Sequence, residues 1–320
     1  MAAAVFDGKG LTYVENHPQP ELKSGWAKIR IKCAGICKTD LEIMKGYRGF
    51  HGVLGHEFVG VVEECPDSRW IGKRVVGEIN AGCGHCDWCA RGLSKHCPDR
   101  TILGILNHDG CMAEYCQLPV KNLLEIPEGI SDCRAVLTEP LAAACEILEQ
   151  LPVRGDERVI VLGDGRLGLL CAWVLSTAVD DVTVVGHHAQ KLAAVSWRNI
   201  KTALSEKDIG PGADIVVEAT GSGAGLVSAM SLGRPRGTIV LKSTVALSAD
   251  VNLAPVVINE QTILGSCCGP FASGLTIMRD FPDMPLDRLI TARYPLEDVE
   301  EAFVRAAAGD ALKVLLEINP

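Results

Sequence analysis

Four closely spaced cysteines carry the strongest chemical signal in this sequence. Two-residue gaps separate the first three and a seven-residue gap precedes the fourth; they are Cys83, Cys86, Cys89 and Cys97. This spacing places successive sulfurs on one concave turn, and four thiolates complete the tetrahedral coordination of zinc without an open position. Disulfides and an iron–sulfur cluster are the alternatives, but a reducing compartment disfavours disulfides and the spacing differs from ferredoxin patterns. The cluster therefore predicts a structural zinc ion.

A second set of candidate ligands mixes three residue types. Cys37 lies in the segment GICKTD, His56 and Glu57 lie in GHE, and Glu139 lies in TEP. One thiolate, one imidazole and one or two carboxylates leave a position for water or substrate, which a catalytic zinc requires. Taken singly, each residue fits a core position or a solvated turn better than a ligand. Together they predict a catalytic zinc site.

A glycine pattern in the second half of the chain predicts a dinucleotide site. The apolar segment 158–163 runs into Gly163, Gly165 and Gly168, which flank Arg166 and Leu167, and an apolar helical stretch follows. Such glycines permit a tight turn and a close approach of the backbone to a pyrophosphate, whose charge is favoured at a helix N-terminus.

The cofactor preference is predicted from the end of the next apolar strand. NAD-binding domains of this kind usually have an acidic residue there, about 20 residues past the glycines. Here Gly186 stands at that position, and His187, His188 and Lys191 follow it. Because glycine leaves room for a 2′-phosphate and the basic side chains can donate to it, the sequence predicts that NADP(H) is preferred over NAD(H). The alternative is NAD held through ribose contacts elsewhere.

The elements that must position these residues fall into two groups. Up to about residue 122, segments alternate in period two (27–35, 57–64 and 73–79) between frequent glycines, which predicts a β-rich domain. After a helical stretch at 135–150, continuous apolar strands alternate with helical segments; the strands are 158–163, 181–186, 213–221, 237–242 and 261–266. This second pattern predicts a parallel sheet covered on both faces, in an α/β chain. An amphipathic helix at 296–309 and a strand at 313–318 end the sequence.

Composition excludes several classes of partner. The 320 residues suggest about two domains, and the net charge of −9 gives no basic surface for nucleic acid or an anionic membrane. No leader segment is expected at the N-terminus, and the apolar stretch 159–179 is interrupted by glycines and charges. Fourteen cysteines are too sparse for a disulfide scaffold. We therefore expect a cytoplasmic protein with no membrane or nucleic-acid partner.

In their order along the chain, these motifs resemble the zinc-containing medium-chain alcohol dehydrogenases, in the branch of threonine, sorbitol and glucose dehydrogenases. The resemblance extends to GxxAEY at 110–115 and GSxCG at 265–269. It implies a GroES-like catalytic domain (1–135, with the structural zinc lobe at 83–97), a Rossmann domain (136–274) and a C-terminal segment (275–320) that returns to the first domain. It also implies a homodimer or homotetramer.

The resemblance implies hydride transfer between NAD(P) and an alcohol or carbonyl substrate (polyol, sugar or secondary alcohol), with two zinc ions per chain. Cys37 and His56 match the family's invariant ligands, and Glu57 or Glu139 completes the set. Asp40 would orient His56, and Thr39 would hydrogen-bond the substrate hydroxyl. Relatives often have a relay histidine where this chain has Glu42. A catalytically impaired zinc- and nucleotide-binding protein with a regulatory or structural role is therefore the alternative.

Overall fold

The chain divides into two compact units in the computed structural model, which describes residues 1–244 and 251–319. Unit 1 is Met1–Glu139 together with Leu289–Pro320, and unit 2 is Pro140–Arg288. The second boundary between the units lies after residue 288, so the helix at 271–280, which buries Phe271, Leu275 and Met278, is part of unit 2. No helix in the described ranges is long and apolar enough to cross a membrane.

The strands and helices are numbered here in chain order. The strands are β1 Ala3–Phe6, β2 Leu11–Val14, β3 Trp26–Ile36, β4 Gly52–Val53, β5 Glu57–Glu64, β6 Arg74–Gly77, β7 Asn80–Ala81, β8 Thr101–Ile102, β9 Tyr115–Pro119, β10 Leu123–Glu125, β11 Arg158–Leu162, β12 Asp181–Val185, β13 Lys201–Ala203, β14 Ala213–Glu218, β15 Gly233–Leu241, β16 Thr262–Gly265, β17 Ile290–Pro295 and β18 Lys313–Glu317. The helices are α1 Lys38–Ile43, α2 Asp87–Ala90, α3 Asp132–Ala135, α4 Thr138–Gln150, α5 Arg166–Leu175, α6 Ala189–Ala194, α7 Gly223–Leu232, α8 Ala254–Ile258, α9 Phe271–Asp280 and α10 Val299–Ala307.

Unit 1 is built on a sheet with the strand order β10-β6-β5-β3-β18-β17, in which β9 also pairs with β3. Half-buried and buried residues alternate from Trp26 to Cys33 of β3, as the period-two pattern predicts for a strand with one face in the core, and the strand is fully buried from Cys33 to Ile36. Gly35 lies opposite Glu57 on β5, and Ile36 lies opposite Val314 on β18. The carboxyl end of β3 therefore lies between the amino ends of β5 and β18.

Unit 2 contains a six-stranded parallel sheet in the order β13-β12-β11-β14-β15-β16. Numbered within the unit, this order is 3-2-1-4-5-6, the arrangement of dinucleotide-binding Rossmann domains. The central strand β11 is buried from Val159 to Leu162, where its continuous apolar sequence is in contact with α5 and α7. The predicted fold class is confirmed.

Candidate functional site

The four-cysteine cluster is assembled in unit 1 as its spacing predicts. Its four sulfur atoms all lie within 4.8 Å of one another, on the loop that contains α2. The sulfurs of Cys86 and Cys97 are 3.7 Å apart, close to the ~3.8 Å edge of a tetrahedron with Zn–S bonds of about 2.3 Å. All four are free thiols, and the backbone N–H groups of Cys83 and Gly84 donate to cluster sulfurs at 3.4 Å. The donor set fits one closed zinc site.

A second group of donors lies where β3, β5 and β18 converge. Cys37 follows β3 and precedes α1, while His56 and Glu57 stand at the start of β5. One ligand atom from each of these three residues lies within 4.8 Å of the others. His56 and Glu57 are buried and Cys37 is half-buried. A soft thiolate, an imidazole and a carboxylate in one partly accessible place fit a catalytic zinc.

Asp40 lies against His56 inside the same cluster. Nδ1 of His56 is 3.2 Å from Oδ1 of Asp40, and both side chains are buried. The other carboxylate oxygen of Asp40 accepts a hydrogen bond from the backbone N–H of Cys37 at 2.7 Å. Burial lowers the pKa of His56, but the charges of Asp40 and Cys37 outweigh burial and raise that pKa well above its usual value. The cluster therefore favours an added positive charge, as a cation site must.

Lys313 is a member of this cluster that the sequence did not predict. It is fully buried at the start of β18, where its Nζ forms an ion pair with Oε2 of Glu57 and donates to the carbonyl of Ile36 at 3.1 Å. A Cβ on Gly35 would lie 2.4 Å from the same Glu57 oxygen, so a larger residue there would displace the Glu57 carboxylate. A lysine at the head of an otherwise apolar terminal strand was the available signal, because buried lysines are almost always paired.

The remaining residues predicted for the catalytic site differ in how they stand to this cluster. The hydroxyl of Thr39 is 3.8 Å from the sulfur of Cys37. Glu139, half-buried at the second position of α4, is not among the donors that lie mutually within 4.8 Å. Glu42, at the position of the relay histidine, is paired with Lys45 at 2.9 Å on the surface. Thr39 is therefore beside the donor group, whereas Glu139 stays a predicted ligand.

The glycine turn of unit 2 has the local geometry that its sequence predicts. Gly163 has a φ of +115°, and α5 starts directly after Gly165 with Arg166 and Leu167. A Cβ on Gly168 would lie 2.0 Å from the carbonyl oxygen of Gly163, so α5 packs directly on the turn. A Cβ on Gly165 would have no atom within 4 Å. The backbone at Gly165 thus faces open space, as the approach of a pyrophosphate requires.

The space directly beside Gly186 is occupied by the side chain of Asp164. A Cβ on Gly186 would lie 2.3 Å from Cβ of Asp164 and 2.6 Å from its Oδ2. The ring nitrogen Nδ1 of His188 is 2.9 Å from this oxygen. One of the residues predicted to contact the phosphate is therefore paired with Asp164. His187 is exposed and Lys191 is half-buried. Asp164 therefore lies next to Gly186, where the sequence predicts a contact with the 2′-phosphate.

Comparison with known proteins extends over the whole chain. The family model described as "Alcohol dehydrogenase GroES-like domain" matches residues 23–128, and "Glucose dehydrogenase C-terminus" matches residues 134–318. An erythritol/L-threitol dehydrogenase of Mycolicibacterium smegmatis is 29% identical over 99% of this chain and 97% of its own length. A sorbitol dehydrogenase of Halalkalibacterium halodurans is 26% identical over 97% and 96%. The crystal structure of an alcohol dehydrogenase from Escherichia coli CFT073, complexed with NADH, superposes with a TM-score of 0.89 at 26% identity, covering 99% of each chain.

Proposed function

Because the chain belongs to the zinc-containing medium-chain alcohol dehydrogenase superfamily, we propose that it is a zinc-dependent dehydrogenase that transfers hydride between an alcohol and a nicotinamide dinucleotide. The observation that carries the proposal is the group of Cys37, His56 and Glu57, whose ligand atoms lie within 4.8 Å of one another. Zinc in such a site supplies a Lewis acid that favours the ionised alcohol and polarises the carbonyl product.

The side chains around the donors have separate roles in this proposal. Cys37 and His56 hold the metal, and Asp40 fixes the orientation of the imidazole through its contact with Nδ1. The Thr39 hydroxyl, next to Cys37, accepts the proton of the substrate hydroxyl and passes it on. Lys313 balances the charge of Glu57, so this buried carboxylate has a cation beside it.

Either Glu57 or Glu139 completes the ligand set. Glu57 is within ligand distance but is already paired with Lys313, and Glu139 is outside the group of mutual neighbours. Glu139→Gln should therefore lower zinc affinity or turnover by about tenfold or more if Glu139 belongs to the site. Full activity with a small change in stability would show that Glu139 only interacts with the start of α4, an effect worth about 0.3–1 kcal/mol.

We propose polyols as the substrate class, because the relatives that match this chain over nearly its full length include sorbitol and erythritol/L-threitol dehydrogenases. The cofactor is a nicotinamide dinucleotide bound at the glycine turn of unit 2, where the backbone at Gly165 is open. The predicted preference for NADP(H) depended on free space beside Gly186. Since the side chain of Asp164 lies in that space, the choice between NAD(H) and NADP(H) depends on how Asp164 interacts with the cofactor.

A panel of polyols, sugars and secondary alcohols, assayed with NAD and NADP, tests this function. We expect turnover of polyols by the wild-type protein and by Cys65→Ser, a matched change at a half-buried free cysteine outside both clusters. Cys37→Ser should lose turnover while keeping its circular dichroism spectrum. Turnover by Cys37→Ser at the wild-type rate would contradict the catalytic assignment.

The surface ion pair of Glu42 with Lys45 favours a second candidate, a dehydrogenase-like protein with impaired catalysis, because no histidine occupies the usual relay position. The two candidates differ in one measurement. An impaired protein would bind zinc and dinucleotide stoichiometrically and still turn over no member of the panel.

A further inference from the structure

The carboxylate of Asp164 lies where NAD-binding Rossmann domains usually have an acid from the end of the second strand. Strands β11 and β12 are parallel neighbours, and the backbone N–H of Gly163 donates to the carbonyl of Val185 at 2.8 Å. These contacts bring the glycine turn beside Gly186, and a Cβ on Gly186 would lie 2.6 Å from Oδ2 of Asp164. The sequence has no acidic residue at the usual position, but the folded chain places the carboxylate of Asp164 beside that position.

One oxygen of this carboxylate is fixed and the other is available. Oδ2 accepts hydrogen bonds from the backbone N–H of His188 at 2.7 Å and from its Nδ1 at 2.9 Å. Oδ1 has no hydrogen-bond partner among the residues that the structure describes, and 11% of the side chain is exposed. Burial raises the pKa of Asp164, but the hydrogen bonds and charge of His188 outweigh it and hold that pKa below its usual value. The side chain is an ionised, pre-oriented acceptor.

We propose that Asp164 accepts hydrogen bonds from the adenosine ribose hydroxyls and thereby makes the protein prefer NAD(H) over NADP(H). The inference rests on the proposed function, because it requires that a dinucleotide binds at the glycine turn. A carboxylate accepts from the 2′-hydroxyl of NAD and repels the 2′-phosphate of NADP. Asp164 also engages His188, which would otherwise be free to donate to a phosphate.

Equilibrium binding of NADH and NADPH, measured by isothermal titration calorimetry on the full chain, tests this role without an activity assay. We expect the wild-type protein to bind NADH at least tenfold more tightly than NADPH. Asp164→Asn keeps the size of the side chain and removes its charge. It should weaken NADH binding by about tenfold, because charge-assisted hydrogen bonds are lost, and leave NADPH binding equal or tighter.

An exchange of positions separates the role of the acid from a general effect on folding. The double variant Asp164→Gly/Gly186→Asp moves the carboxylate to the end of β12 and should restore the preference for NADH. Gly186→Asp alone should bind both dinucleotides poorly, because its Cβ would lie 2.3 Å from that of Asp164. Asp180→Asn is the matched control, since it removes an exposed charge just before β12, at the opposite end of that strand.

Two results would overturn the inference: tighter binding of NADPH by the wild-type protein, or an unchanged ratio of the two dissociation constants in Asp164→Asn. Failure of the wild-type protein to bind either dinucleotide is a different result, because it would overturn the proposed function as well.

Discussion

Lys313 and Glu57 form an ion pair from which solvent is excluded, next to the side chains of Cys37 and His56. Removing two charges from water costs several kcal/mol per ion, and their attraction offsets this only when other polar groups complete the hydrogen bonding. The carbonyl of Ile36, which accepts from Lys313, is one such group. The pair therefore adds little net stability. Its main contribution is to hold two opposite charges in fixed positions at the site.

Lys313→Met should lower the free energy of unfolding by about 3–5 kcal/mol, because it leaves the Glu57 carboxylate buried without its cation. Adding Glu57→Gln removes the uncompensated charge and should recover most of the loss. Urea unfolding of the zinc-loaded protein measures both variants. A loss below about 1 kcal/mol in Lys313→Met would contradict a buried pair.

His108 is expected to make the stability of unit 1 depend on pH. It is buried beside Trp26, its Nε2 donates to the carbonyl of Gln117 at 3.0 Å, and Nδ1 has no hydrogen-bond partner among the described residues. Burial and the charge of Lys23 lower the pKa of His108 to about 4, against weaker opposing effects of Gln117 and Asp109. Its neutral ring thus contributes stability above pH ~6.5, and this stability is lost as the pH falls towards 4, since the unfolded chain binds the extra proton.

The expected loss from His108 is about 1.4 kcal/mol per pH unit in this interval, or roughly 3 kcal/mol in all. His108→Gln keeps a donor near Gln117 but cannot titrate, so its stability should depend less steeply on pH between 6.5 and 4. Urea unfolding at several pH values measures the slope, with the exposed His187→Gln as control. Equal slopes in the wild-type and His108→Gln proteins would refute the assignment.

At the scale of elements, the sequence predicts the bounds of two strands that are buried on both faces to within about one residue. The segments 158–163 and 181–186 correspond to β11 and β12. A continuous apolar run is typical of a strand whose two faces are both covered in a parallel sheet. The three-residue edge strand β13 was missed, since two of its residues are exposed and it has no apolar periodicity. The pairing of β18 with β3 links the two ends of the chain, and no local pattern encodes it.

Two glycines of the turn before α5 should respond differently to the same substitution. Gly168→Ala places a Cβ 2.0 Å from the carbonyl of Gly163, so β11 and α5 must separate, at a cost of about 1–3 kcal/mol. Gly165→Ala places a Cβ in open space and should leave stability nearly unchanged while weakening dinucleotide binding, because the added methyl group lies in the path of the pyrophosphate. Thermal unfolding and calorimetric binding separate the two effects. Unimpaired dinucleotide binding by Gly165→Ala would be evidence against the turn as the pyrophosphate site.

At the scale of the whole molecule, local motifs predict the metal donors of the candidate site but not the residues that reach the sites from distant parts of the chain. The thiolate and imidazole donors stand in short motifs, so the sequence alone could select them. Lys313 could not be found in this way, because it reaches Glu57 from a strand 256 residues later in the chain. Asp164 was missed for a related reason: the sequence shows an acid absent after β12, whereas parallel pairing supplies one from the turn after β11.

The two donor clusters of unit 1 predict two zinc ions per chain that can be removed separately. The four-cysteine cluster offers four protein donors, so we expect metal binding there to contribute to folding, whereas the mixed cluster has fewer protein donors and is expected to serve catalysis. Elemental analysis should find two zinc ions in the wild-type protein and one in Cys37→Ser, with thermal unfolding near that of wild type. Cys89→Ser should also retain one zinc ion but unfold at a clearly lower temperature, and Cys65→Ser should keep both ions. A single zinc ion in the fully loaded wild-type protein, or equal thermal stability of Cys37→Ser and Cys89→Ser, would contradict this division between a catalytic and a structural site.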